Sequence, residues 1–220
     1  MGSRPAPERA RVVNDNSISN CMPTHNGFEM TDTNDFNSLA GNLLVAMPGM
    51  PDPFFSQTAT LICEHSIEGA MGVVINQPTE VLLQEVFQQL KFESGDLEAQ
   101  NKLIGYGGPV GRDQGFMLHS SDEQKWKSSA EVTEGINLTS SPDIVEAVSH
   151  GIGPEKWFFV LGYAGWSAGQ LESELAGDSW IVTPATPSLI FDTPATDLLK
   201  HAVSQLGVDF SRLGTITGSA

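Results

Sequence analysis

The residues best equipped for chemistry fall in three clusters. Gly165-Trp166-Ser167-Ala168-Gly169 fits the G-x-S-x-G elbow, in which a sharp strand-to-helix turn presents a nucleophilic serine. Such a serine needs an acid and then a histidine downstream, and Asp178, Asp192, Asp197 and His201 supply those types in that order. His201, however, lies on or beside the apolar stripe of the last expected helix, a poor place for a base. The plainer reading is that Gly165 eases a turn and Ser167 caps the next helix, so no catalytic residue is assigned and a serine hydrolase stands as the alternative.

Cys63-Glu64-His65 forms the second cluster. In an extended chain Cys63 and His65 share a face while Glu64 points away. A metal site there needs a further ligand, with His119 the candidate, but no paired Cys-x-x-Cys or His-x-x-x-His spacing supports one. A hydrogen-bonded structural histidine is favoured over metal binding and acid–base work, and no metal or cofactor is expected. The third cluster is glycine-rich: Gly107-Gly108-Pro109 and Gly69-Ala70-Met71-Gly72 can offer backbone N–H groups to an anion. Neither fits a phosphate-loop fingerprint, and tight turns explain both more simply. Of the four tryptophans, Trp166, beside two glycines at an expected strand end, is the one to line a groove.

These residues need a scaffold, and the chain is long enough to build one. Its 220 residues suit one domain with a real core. With 40% hydrophobic and 17% charged residues, the composition is globular. The net charge of -16, from 27 acidic and 11 basic residues, repels phosphate backbones and disfavours direct nucleic-acid binding. Cys21 and Cys63 sit in unlike surroundings, and few cysteines fit a reducing compartment. With no membrane-length apolar run and no secretory signal, the expected location is the cytoplasm, without membrane association.

Residues 1–37 are polar and aperiodic and are expected to form a flexible extension, leaving 38–220 as the domain. Met1-Gly2-Ser3 reads as an appended leader, with Met22 or Met30 as candidate natural starts. Strands are expected over Leu43–Met47, Thr58–Cys63 and Gly72–Asn76, the last two as a hairpin. Further strands are expected at Leu103–Tyr106, Gly115–His119, Ile136–Thr139, Trp157–Leu161 and Ser179–Thr183. Thr79 should cap a helix carrying Leu82, Leu83, Val86, Phe87 and Leu90 on one stripe. Others should follow Ser140 or Ser141, Ser167, and Thr193 with Pro194 at the first position. Residues 93–100 read as a loop. Several strands precede the first helix, so the class is α+β.

Taken in order, Leu43–Pro48 (LLVAMP), Asp52-Pro53-Phe54-Phe55, Ile62–His65, Glu68–Gly72, Asn76-Gln77-Pro78, Gly107–Val110, Asp113–Phe116, Leu118-His119-Ser120, Gly162–Trp166 and Gly169–Glu172 resemble the YqgE/AlgH family of bacterial proteins. The resemblance spans about Leu39 to Leu213. It implies a small α+β domain built on an open, barrel-like, mainly antiparallel sheet with packed helices. It implies no particular reaction, although one branch is named as a regulator of alginate production. Ser167 is not among the positions that carry it. It also implies a terminal Gly-His pair, whereas this chain ends Gly218-Ser219-Ala220, as a shortened chain would. The expected role is therefore non-enzymatic binding of a small molecule or protein partner, with any regulation indirect; direct transcriptional control is the charge-disfavoured alternative. Candidate ligand-binding residues are Glu64, His65, Gly107, Gly108, His119 and Trp166.

Overall fold

The structure is a computed structural model that describes residues 36–208. The expected extension over 1–37 therefore lies outside the described residues apart from Phe36 and Asn37, and the compact unit begins at Ser38. Among the described residues ten strands form a curled, mainly antiparallel sheet in the order β10-β1-β2-β3-β9-β6-β8-β7, with β4 and β5 attached beside β9. The strands are β1 (Asn42–Ala46), β2 (Ala59–Ser66), β3 (Gly69–Val74), β4 (Pro78–Leu82), β5 (Leu103–Tyr106), β6 (Val110–Ser120), β7 (Ser129–Thr133), β8 (Ile136–Thr139), β9 (Trp157–Ser167) and β10 (Trp180–Pro184). Among these strands only β5 and β9 pair in parallel.

Strand alternation sorts the core into faces. Leu43 and Val45 of β1, Leu61 of β2, Leu118 of β6 and Val160 of β9 point inward. There they meet Leu189 and Ile190 of α5 (Pro187–Asp192) and Leu198, Ala202 and Val203 of α6 (Leu198–Ser204). Each of the buried leucines, isoleucines and valines contributes about 1.5–3 kcal/mol. Outside, α1 (Leu83–Leu90), α2 (Leu97–Gln100) and α3 (Pro142–Ser149) cover Met117, Phe159 and Ile104. At the other end α4 (Gln170–Ala176) and the 48–57 loop cover Leu44, Ile62, Ala164 and Trp166. The curl brings β7 back beside the β1–β2 side, where a Cβ on Gly41 would lie 2.9 Å from Thr133 Cβ.

Strand β9 organises the sheet. One edge pairs with β6; the other pairs first with β5, through Val160 and Leu161, and then with β3, through Ala164–Ser167. The chain leaving β5 crosses β9 at Gly107-Gly108 to enter β6 on the far edge. Gly107 donates its N–H to Leu161 O at 2.7 Å and accepts from Val74 N at 2.8 Å. A Cβ on Gly108 would lie 2.1 Å from the Tyr163 carbonyl carbon, and one on Gly162 2.4 Å from Gly108 O. The crossing is backbone on backbone, and only glycine fits there.

Several boundaries differ from expectation for local reasons. Thr79 caps no helix: it lies in β4, its hydroxyl donates to Ile104 O at 2.9 Å, and α1 starts only at Leu83. Leu82 is the residue before that helix, and Leu90 is 41% exposed, so the buried stripe is Leu83, Val86 and Phe87. Residues 97–100 form one helical turn because Asp96 Oδ1 accepts from Glu98 N and Ala99 N. Strand β9 runs on past Leu161 to Ser167, so Gly165, expected to ease a turn, is strand and lies opposite Met71. Ser167 ends that strand and Gly169 precedes α4. Thr193 does not cap the last helix: Thr186 caps the additional α5, Asp197 precedes α6, and Thr193 follows α5. The Ser141 start of α3, with Pro142 in its first turn, agrees with expectation.

Candidate functional site

The Cys63-Glu64-His65 cluster is reshaped by a β-bulge. Ile62 pairs with Gly72 and Glu64 with Met71, leaving Cys63 as the extra residue. Cys63 joins the inner core and Glu64 lies across from inner-facing Met71, whereas His65 lies across from Ala70 on the outer, α4-covered face. The expected shared face of Cys63 and His65 is thus overturned, because one extra residue reverses the alternation. Burial pushes the Cys63 thiol far up, and the Glu64 carboxylate raises it further, so the thiolate nucleophile is suppressed. Burial also raises Glu64 itself.

His65 is bonded at both ring nitrogens. The Leu39 N–H donates to Nδ1 at 2.9 Å, which places the ring proton on Nε2, 2.9 Å from Glu172 Oε1. A carboxylate–imidazole pair can act as a general base only with a ring nitrogen facing a substrate, and here Nδ1 is committed to the main chain. The pair clips the start of the domain and α4 onto the end of β2. Among the described residues no group of three or more His, Cys, Asp or Glu is placed to hold a metal ion.

Beside this pair lies the G-x-S-x-G segment. The Ser167 hydroxyl and backbone N–H both donate to Gln170 Oε1 at 3.1 Å, and Gln170 Nε2 donates to Glu174 Oε1 at 2.9 Å. The other Glu174 oxygen accepts from two indoles, Trp166 Nε1 at 2.9 Å and Trp180 Nε1 at 2.8 Å. Ser167 keeps strand backbone opposite Gly69, and the left-handed residue is Gly169 (φ 73°). This is not the strained turn that exposes a nucleophile. His201 is an exposed residue of α6, a helix packed against β1 and β10. Trp166 does not line an open groove: it is 5% exposed, stacks on Phe55 and meets Trp180 edge to face. Glu174, which ties this cluster together, escaped the sequence reading. Its signal was there: it lies one helical turn after Gln170, with a tryptophan on each side in sequence.

The remaining candidates do not converge. Gly107 and Gly108 are consumed by the crossing over β9. His119 pairs across the sheet with Trp157, whereas Ala70, the neighbour of His65, pairs with Trp166. Nine residues of β9 separate those levels, roughly 30 Å of strand. His119 lies on the outer face and lines a cleft of about 300 Å³ with Trp126, Ser129, Asn137 and others. Its Nδ1 is 2.8 Å from Ser120 O, an acceptor, so Nδ1 carries the proton and Nε2 faces Thr139 Oγ1 at 2.9 Å. Trp126 lines the same cleft, and its Nε1 is a buried donor with no partner among the described residues.

Burial lowers the pKa of His119 below 6.5, with the Ser120 carbonyl and Asp122 acting in the opposite direction. The unfolded ring then takes up a proton before the folded one does. The stability contributed by neutral His119 is therefore complete above pH 6.5 and declines as pH falls toward the lowered folded value. Urea unfolding from pH 7 to pH 5 should show this decline, and His119→Gln should remove that part of it.

A curled α+β half-barrel with its concave face plugged by two helices, and with a histidine–carboxylate clip at one end, is the class of protein that fold and site define. The family model described as AlgH-like matches residues 43–211, and the chain belongs to that family. It is 44% identical over 186 residues to a UPF0301 protein of Saccharophagus degradans, covering 84% of this chain and 91% of that one. It is 45% identical over 181 residues to one from Stenotrophomonas maltophilia, covering 82% and 96%. The solution structure of the AlgH protein from Pseudomonas aeruginosa superposes with a TM-score of 0.69 at 42% identity, covering 87% of this chain and 100% of that one. A Corynebacterium diphtheriae protein shares the fold, with a TM-score of 0.61 at 21% identity. No helix among the described residues is long and apolar enough to cross a membrane.

Proposed function

We propose that this is a non-enzymatic cytoplasmic protein that binds a small molecule in the cleft at His119, any regulatory effect passing through that ligand or a protein partner rather than through DNA. The observation that carries the reading is the orphan indole N–H of Trp126 beside an open polar cleft. A buried donor left unpaired costs about 1–3 kcal/mol, and a ligand acceptor would recover it. Around the donor, Ser129, Asn137 and the His119–Thr139 pair supply hydrogen-bonding groups that fix orientation. Against an enzyme stand the commitments of the reactive residues: Cys63 is buried, Ser167 is held by Gln170, and His65 is bonded at both nitrogens. The charge of -16 supports an indirect route.

Two measurements test it. In amide and indole NMR spectra, a nucleotide and metabolite library should contain a compound that moves the Trp126 indole N–H and the amides around His119. A library that leaves them unmoved while shifting another surface would remove the cleft from consideration. A fluorophosphonate probe should leave the chain unlabelled; labelling that disappears in Ser167→Ala would establish the hydrolase instead.

A further inference from the structure

A chain of hydroxyls behind the His119 cleft sets what Ser129 can offer a ligand. His119 Nδ1 lies 2.8 Å from Ser120 O, and a carbonyl oxygen only accepts, so Nδ1 keeps its hydrogen whether the ring is neutral or charged. In the neutral ring Nε2 is an acceptor, and the Thr139 hydroxyl 2.9 Å away must donate to it. Thr139 then has no hydrogen left for Ser129 Oγ, which stands at 2.7 Å. The Ser129 hydroxyl therefore donates to Thr139 and presents only lone pairs to the cleft it lines. Protonation of the ring reverses each step: Nε2 donates to Thr139, Thr139 donates to Ser129, and the Ser129 hydrogen is released toward the cleft. Thr139 is 1% exposed and His119 2%, so both inner members are shielded from water.

With His119 neutral, the wall is rich in acceptors. Ser129 Oγ is one; Asn137 spends its Nδ2 on Ser121 Oγ at 2.9 Å, and its Oδ1 has no partner among the described residues. Trp126 Nε1 is the opposite, a buried donor lacking an acceptor. A ligand that answers all three brings one acceptor and two N–H hydrogens, the complement carried by a primary carboxamide. Charge excludes its nearest analogue. Asp122 and Glu131 line the cleft against Lys125 alone, and a carboxylate, which only accepts, would meet those charges and the Ser129 lone pairs. An ammonium supplies donors but leaves Trp126 unanswered. Resting on the reading of this cleft as the ligand site, we propose that its ligand is a small uncharged primary carboxamide. The carbonyl takes the Trp126 N–H, and the amide nitrogen donates to Ser129 Oγ and Asn137 Oδ1. Protonation of His119 turns Ser129 into a donor and loosens the ligand. The charged groups around the ring are Asp122 and Lys125 of the 121–128 loop and Glu131 of β7. Strand β8 adds only Asn137 and Thr139, and β9 places Trp157 across from His119, with Lys156 before it turned to Asp192. Asp143, at the start of α3, is taken up by Lys127 N at 3.0 Å.

The test uses the full chain and three probes of similar shape, benzamide, benzoate and N,N-dimethylbenzamide, followed by NMR at pH 7. Benzamide should give saturable shifts at the Trp126 indole N–H and at the amides of Ser129 and Asn137. Benzoate, and the dimethyl compound that keeps the carbonyl but has no N–H, should each bind at least about tenfold more weakly, the loss expected when a donor is missing opposite a desolvated acceptor. Ser129→Ala should weaken benzamide by a similar factor. The parent ring should show the Nδ1–H tautomer, and as the pH falls benzamide affinity should decline in step with protonation of that ring; in Thr139→Val it should no longer follow the ring. An Nε2–H tautomer, equal affinity for the three probes, unchanged affinity in folded Ser129→Ala, or affinity that holds while the ring takes up its proton would each overturn the assignment. Failure of benzamide to bind overturns it as well. The cleft then stands as a ligand site if another library compound moves the Trp126 indole, and falls with the carboxamide if none does.

Discussion

Gly108→Ala is expected to cost more than about 4 kcal/mol, the range reached only by exceptional substitutions, and to leave little folded protein at physiological temperature. The added methyl carbon would sit 2.1 Å from the Tyr163 carbonyl carbon, 2.2 Å from its oxygen and 2.5 Å from Ala164 N. All three are backbone atoms of the central strand, so no side-chain rotation relieves the clash. Gly108 also has φ 155°, a value that side-chain-bearing residues rarely adopt. To make room, the crossing segment must lift from β9. That breaks the Gly107 bonds to Leu161 and Val74, which join β5 and β3 at the point where they share one edge of β9. Gly95→Ala is the control: a Cβ there meets nothing within 4 Å, and its effect should be near zero. Thermal melts of the two variants decide the matter, and a Gly108→Ala protein that melts within a few degrees of the parent would refute the crossing as described.

The same crossing shows where the sequence was legible and where it was not. Strands β1, β2 and β10 could be read because apolar residues alternate or cluster between turn residues, and their local pattern agrees with their buried environment. The local pattern ends the strand at Leu161, before Gly162-Tyr163-Ala164-Gly165, but Gly162 serves a close approach by Gly108, more than fifty positions earlier, which no window of neighbours reveals. Thr79 failed for a related reason. Its cap-like context before an apolar stripe was outweighed by pairing of its segment with β5, a tertiary choice. At the site, the Cys63 bulge reversed a face assignment that simple alternation had fixed, and separated His65 from Cys63. Glu64, His65 and Trp166 lie in one neighbourhood around β2, β3, β9 and α4, with Glu64 across from inner-facing Met71 and the other two on the outer face. His119 belongs to another neighbourhood, because sequence order gives no measure of distance along a shared strand.

That neighbourhood is held by Glu174, and Glu174→Ala should destabilise the fold by about 2–4 kcal/mol, the cost of stranding two buried donors after allowing for some water entry. Trp166 and Trp180 are 5% and 6% exposed, and both indole N–H groups converge on one carboxylate oxygen at 2.9 and 2.8 Å. The other oxygen holds Gln170, which in turn receives the Ser167 hydroxyl and N–H, so truncation also frees the link between β9 and α4. For a domain of this size the loss corresponds to a melting temperature lower by roughly 5–15 °C. Glu174→Gln retains a carbonyl oxygen able to accept from the indoles while surrendering the charge, and should fall between parent and alanine variant. Indole N–H resonances provide a readout that stability alone does not: those of Trp166 and Trp180 should shift together in Glu174→Ala, while those of Trp126 and Trp157 stay in place. If only one of the pair moves, the shared-oxygen geometry is wrong. If neither moves, α4 is held to the sheet by Leu171 packing and the His65–Glu172 clip rather than by Glu174.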